Sequence, residues 1–133
     1  IHNSSEDIDK HLHDNVADMI MTCPPYYNIE KYDSVDGQLT DIKTYEKFLE
    51  TYKIILEKSI KILKPSCFFV VVLANFRIVG KLFDFCSDTK NILKEHLIFH
   101  DEIILEMSPA KRHALYTQAI VNLNCLKTHE YYL

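Results

Sequence analysis

Cys67-Phe68-Phe69-Val70-Val71-Val72-Leu73-Ala74 decides how this 133-residue chain folds. Eight residues without polar alternation, with three β-branched valines at the centre, predict a strand covered on both faces, as in parallel sheets flanked by helices. Just upstream, Tyr45, Phe48, Leu49, Tyr52, Ile55, Leu56, Ser59, Ile60 and Leu63 recur at helical spacing. They make one broad apolar face. Thr44 is placed to cap this helix, Glu46 suits its first turn, and Lys61 and Lys64 suit its last. Pro65 then forbids continuation. Further upstream, residues 17–22 (Ala-Asp-Met-Ile-Met-Thr) form an apolar run of strand length. The prolines of Cys23-Pro24-Pro25 stop it, because they have no N–H to give to a ladder. Downstream, residues 81–96 read as a helix, 99–107 as a third strand, and 129–133 as the start of a last strand. Residues 117–126 fit strand and helix equally. The order predicts an α/β fold in which 17–22 and 67–74 are parallel neighbours, each buried on two faces.

Composition sets outer limits. Hydrophobic residues make up 47% and charged residues 26%, as in an ordinary globular domain. No apolar run reaches the roughly 18 residues that span a bilayer, so no membrane partner is expected. Fifteen Lys+Arg against nineteen Asp+Glu leave a net charge of -4. That argues against a nucleic-acid binder basic over its whole surface and leaves room for a local basic patch. Glycine occurs only at Gly37 and Gly80, where about nine would be usual. Neither a GxGxxG turn nor a P-loop can be written with them. Cys23, Cys67, Cys86 and Cys125 form no CxxC pair and no zinc spacing, and His2, His11 and His13 are too scattered to pair on a helix, so no metal site is expected. The thiols fit a reducing, intracellular compartment. The chain opens on Ile1 and closes on Tyr131-Tyr132-Leu133, and both ends read as cut. Nothing in it sets an oligomeric state.

In parallel sheets function sits at the carboxyl ends of strands, which directs attention past residues 22 and 74. Past the first stands Thr22-Cys23-Pro24-Pro25-Tyr26-Tyr27-Asn28. A plain reading is a rigid turn with two packing aromatics. A functional one is that the prolines fix a backbone carbonyl toward a cleft while the next ring offers a stacking face to a base. Such a turn suits in-line methyl transfer to an amino group, which needs positioning more than a strong base. Past the second strand, Asn75 and Arg77 are placed to meet a substrate. Lys111-Arg112-His113 is a basic loop suited to phosphates or to plain solvation.

The segment from Ala17 to Glu30 resembles the catalytic motif of the amino-methylating DNA methyltransferases, the adenine-N6/cytosine-N4 family. That motif is Asp, Asn or Ser, then Pro-Pro, then an aromatic, after an apolar strand. A phage- or virus-type branch is similar over more of the chain: Cys-Pro-Pro-Tyr-Tyr, a Tyr-x-x-Phe-Leu helix (Tyr45, Phe48, Leu49), Leu63-Lys64, Asn75-x-Arg77, Ser87-Asp88-Thr89, Asp101 to Leu105, and Lys127 to Glu130. The resemblance implies a Rossmann-like S-adenosylmethionine-dependent methyltransferase fold. Its sheet would be mostly parallel with helices on both faces, and incomplete in a single domain over 1–133, since the family's cofactor-holding glycine loop would precede Ile1. It implies that Cys23 stands at the Asp/Asn/Ser place, Pro24 supplies the carbonyl, Pro25 stiffens the turn and Tyr26 stacks on the target base. Tyr27, Asn75, Arg77, Lys111 and Arg112 would contact substrate. Asn3, with Cys23, would contact S-adenosylmethionine, although the plain reading of Asn3-Ser4-Ser5 is a simple N-cap or turn. The implied reaction transfers a methyl group to an exocyclic amino group of a flipped DNA base. An inactive DNA- or partner-binding module, and an enzyme acting on RNA or protein, stay open as alternatives.

Overall fold

The structure is a computed structural model that describes residues 4–29, 39–106 and 129–132. Residues 117–126 and Lys111-Arg112-His113 lie outside the described residues, as does Asn3. After a short 3-10 turn and the single-turn helix α1 (Ile8–His11), strand β1 runs over Ala17–Thr22. Helix α2 (Tyr45–Ile62) follows the expected period and puts Phe48, Tyr52, Leu56, Ser59 and Ile62 inward. The Thr44 hydroxyl accepts from the Lys47 N–H at 3.4 Å, the predicted cap.

Strand β2 (Leu63–Leu73) begins four residues earlier than the apolar run suggests. The backbone turns extended at Leu63, and Pro65 lies inside the strand instead of before it. A bulge accommodates this. Ala17 pairs with Leu63 but Met19 pairs with Phe68, so five steps along β2 span two along β1. Within the bulge Pro65 has no N–H to leave unpaired, and Ser66 takes a left-handed φ of 62°.

Beyond β2 the expected helix over 81–96 is corrected. Residues Phe76–Ile78 (β3) and Lys81–Phe83 (β4) form an antiparallel hairpin, and helix α3 covers only Phe85–Lys94. Val79 and Gly80, with φ of 48° and 80°, make a two-residue turn of left-handed residues, the geometry that closes tight hairpins. Phe76 and Phe83 are cross-strand partners with rings stacked at 5.2 Å. That pairing outweighs the helical pattern of residues 81–84.

The sheet order is β1-β2-β6-β5, with β5 at Ile103–Glu106 and β6 at His129–Tyr132. β1 and β2 are parallel neighbours, as expected. β6 lies antiparallel between β2 and β5, so β5 runs in the direction of β1 and β2 without pairing with either. Among the described residues, parallel pairing is confined to β1 and β2, and the expected mostly parallel sheet is corrected to a mixed one.

The core joins α2 and α3 to one face of β2 through Phe48, Tyr52, Leu56, Val71, Leu73, Phe85, Cys86 and Leu93. Among the described residues nothing packs on the opposite face to the same degree. Met19, Met21 and Phe68 are 54%, 62% and 59% exposed, so burial on both faces is also corrected: no described helix covers that side. No helix among the described residues is long and apolar enough to cross a membrane.

Candidate functional site

Thr22 pairs with Val71, and the chain then leaves the sheet while β2 continues to Leu73. That divergence opens the space in which the Pro-Pro turn sits. Cys23 is exposed at the strand end, Pro24 is buried, and Pro25, Tyr26 and Tyr27 are half-buried. Asn28 adopts a left-handed φ of 49°, and the Ile29 N–H reaches back to the Tyr26 carbonyl at 3.4 Å.

The two tyrosines are held differently. Tyr26 meets Phe76 and Phe85 edge-on, at 5.6 and 6.0 Å between ring centres. Tyr27 is wedged among Tyr45, Phe48 and Phe83 at 5.6 to 5.8 Å, and its hydroxyl donates to the Lys43 carbonyl at 2.9 Å. Tyr27 thus fastens the turn to α2. Tyr26 is braced from the side by the two phenylalanines, the geometry of a platform.

Beneath the turn, the Tyr45 hydroxyl donates to the Asp88 carboxylate at 2.7 Å. Burial, and then that bond, push its phenol well above the ordinary value of 10.0. Burial likewise raises the Tyr52 phenol, whose hydroxyl lies against Thr89. Both phenols are harder to ionise than an exposed tyrosine.

Past β2, Asn75 and Arg77 flank Phe76, the residue that braces Tyr26. The Asn75 Oδ1 accepts from the Cys86 N–H at 2.9 Å, and the Asp84 carboxylate accepts from the Ser87 N–H at 3.4 Å. Together they cap α3. Burial works against the Asp84 charge, yet hydrogen bonds from Ser87 and Asn75 hold its carboxyl below the ordinary range. Arg77 is exposed, and its Nη1 donates to the Gly80 carbonyl across the hairpin turn at 2.9 Å. At the other end of the chain, the Ser4 hydroxyl accepts from the Glu6 N–H at 3.3 Å as an N-cap.

The bracing aromatics Phe76, Phe83 and Phe85 have no part in the motif and were not singled out by the sequence. Their signal was the Val79-Gly80 pair with phenylalanines at 76 and 83, a hairpin pattern whose second strand was read there as the start of a helix. Elsewhere, Glu57, Glu95 and His96 bring ligand atoms within 4.8 Å of one another on the surface. The Lys53 ammonium already lies against both carboxylates.

A DNA methylase family model, that of the N6/N4 methyltransferases, matches residues 17–133, most of the chain. The chain belongs to the DNA methylase family. Three crystal structures of one Thermus thermophilus protein, assigned as a DNA modification methylase, resemble it. The complex with S-adenosyl-L-methionine shares 18% identity at a TM-score of 0.68, covering 97% of this chain and 51% of that one. The selenomethionine form shares 16% at 0.68, covering 98% and 48%. A further form shares 17% at 0.66, covering 98% and 49%. These likenesses establish the methyltransferase fold, and this DNA methylase chain spans about half the length of the structures it matches. No curated protein matches it in sequence.

Proposed function

We propose that this chain carries the base-binding side of an S-adenosylmethionine-dependent methyltransferase that modifies an exocyclic amino group of a flipped DNA base, adenine N6 or cytosine N4. The observation that carries the reading is the turn itself: a buried Pro24 and a half-buried, side-braced Tyr26 at the carboxyl end of β1, beside an exposed Cys23. In this reading Tyr26 stacks on the extruded base. The Pro24 carbonyl accepts one amino N–H, leaving the nitrogen lone pair in line with the methyl donor. Pro25 keeps that carbonyl from turning, because its φ is fixed. Cys23 stands where the family motif has a carboxylate, an amide or a hydroxyl. Its thiol is a weak acceptor, so the backbone carbonyl carries the orientation.

S-adenosylmethionine, when bound, supplies an electrophilic methyl group. The described residues fit its methyl end, because Cys23 is exposed at the carboxyl end of β1, beside the Pro-Pro turn. Cys23 and Asn3 are the residues assigned to touch it. Among the described residues the one glycine is Gly80, in the hairpin, so they supply no glycine turn for the nucleoside end. The methyl group would pass from the sulfonium sulfur to the amino nitrogen, the sulfur keeping the pair of the broken C–S bond and the amino group giving up a proton to water. Tyr45 and Tyr52, held protonated, are not the base. Asn75, Arg77, Lys111 and Arg112 belong to the proposed substrate side, and Tyr27 contributes by fastening the turn to α2. Asn75 contributes by holding α3, and Arg77 by charge.

The test is a Tyr26 series in the complete reading frame that contains these residues, assayed on unmethylated DNA of mixed sequence. Tyr26→Phe keeps kcat/KM for DNA near wild type. Tyr26→Ala loses about 1–3 kcal/mol of base binding, roughly 5- to 150-fold, with the KM for S-adenosylmethionine unchanged. Wild-type turnover in Tyr26→Ala would remove the stacking role.

A further inference from the structure

The β3-β4 hairpin ends in a residue whose conformation and surroundings conflict with its chemistry. Val79 has φ 48° and is 101% exposed. A β-branched side chain in the left-handed region is a genuine outlier, for which asparagine or glycine is the ordinary choice. Full exposure means that no packing among the described residues offsets the strain. The turn is nevertheless rigid, because Arg77 bonds the Gly80 carbonyl and Phe76 stacks on Phe83 at the base. That same Phe76 touches Tyr26. The hairpin is therefore mounted directly on the ring assigned to the base. Its charge is also one-sided: from Asn75 to Phe83 the charged residues are Arg77 and Lys81, on a chain of net charge -4. Lys81 and Leu82 are exposed.

The geometry points to the hairpin as a DNA wedge, in which Val79 presses its isopropyl group against the base step next to the extruded nucleotide while Arg77 and Lys81 hold flanking phosphates. An apolar tip between two cations matches the way other proteins kink or unstack a duplex. Only one Arg77 donor is committed to Gly80, and the guanidinium has four more for a phosphate. Strain held at an exposed tip is accounted for if the side chain is needed by a partner, and duplex DNA is the partner whose charge the hairpin complements. The inference rests on the DNA reading above and adds the contact that keeps the base out.

The experiment measures binding of the full 133-residue chain to a fluorescent duplex bearing one mismatch, by anisotropy across a salt series. Val79→Asn should melt at a higher temperature than wild type, because asparagine tolerates the left-handed turn, and should bind the duplex several-fold more weakly with the same salt slope. Lys81→Gln combined with Arg77→Gln should lower the slope of log K against log salt by about 2, near 0.9 for each phosphate contact. Equal binding by wild type and Val79→Asn, or an unchanged slope in the double variant, overturns the wedge and leaves the proposed methyltransferase reading standing. No duplex binding by wild type at any salt concentration overturns both.

Discussion

At the scale of single residues, the turn works because adjacent side chains have opposite tasks. Tyr27 is committed by three rings and a hydrogen bond to Lys43, whereas Tyr26 is braced at its edge. The sequence made both tyrosines look alike as substrate contacts. Only packing separates them, since the rings that hold them come from residues 45 to 85. Tyr45 and Tyr52 carry a pH prediction. Both phenols are raised above 10.0, so the folded state holds their protons more tightly than the unfolded chain does. Their contribution to stability is complete below about pH 10 and is lost as pH rises through the higher folded values. Urea midpoints should therefore fall as pH rises from about 9 to 11 and beyond, and Tyr45→Phe should flatten that fall. A midpoint constant across the range would show that neither phenol is linked to folding.

Among elements, α2 and β1 were legible because each is dictated locally, by an apolar period, by the Thr44 cap and by two prolines. The hairpin was not. Its strands are three residues each, too short to show alternation, and their pairing depends on Phe76 meeting Phe83 in space. The start of β2 was hidden for a related reason, since a bulge lets Pro65 sit inside a strand. Asn75 illustrates a role set by an element instead of by a substrate. Its side chain caps α3, so Asn75→Ala should destabilise the fold by about 1 kcal/mol, as loss of an N-cap does. Denaturant unfolding decides it: undiminished stability would free Asn75 for substrate contact alone.

For the molecule as a whole, the parallel β1/β2 pair and the crossover through α2 followed from the order of elements, but the exposed face did not. A strand apolar on both faces reads the same whether or not its second cover is present. The apolar composition of β2 fits a two-sided burial that the described residues provide on one side only. The glycine count makes a matching prediction for the cofactor. Without a glycine turn through which backbone N–H groups approach it, the 133-residue chain alone should bind S-adenosylmethionine weakly or not at all. Calorimetry showing tight binding would require a cofactor site built from other residues. The central claim is the chemistry of the Cys23-Pro24-Pro25-Tyr26 turn, and the identity of the methylated nucleoside tests it most directly. The complete reading frame that contains these residues is incubated with unmethylated DNA and S-adenosylmethionine carrying a labelled methyl group, and the digested nucleosides are read by mass spectrometry. The account predicts label on N6-methyladenine or N4-methylcytosine. Label confined to 5-methylcytosine, or no labelled nucleoside at all, would contradict it.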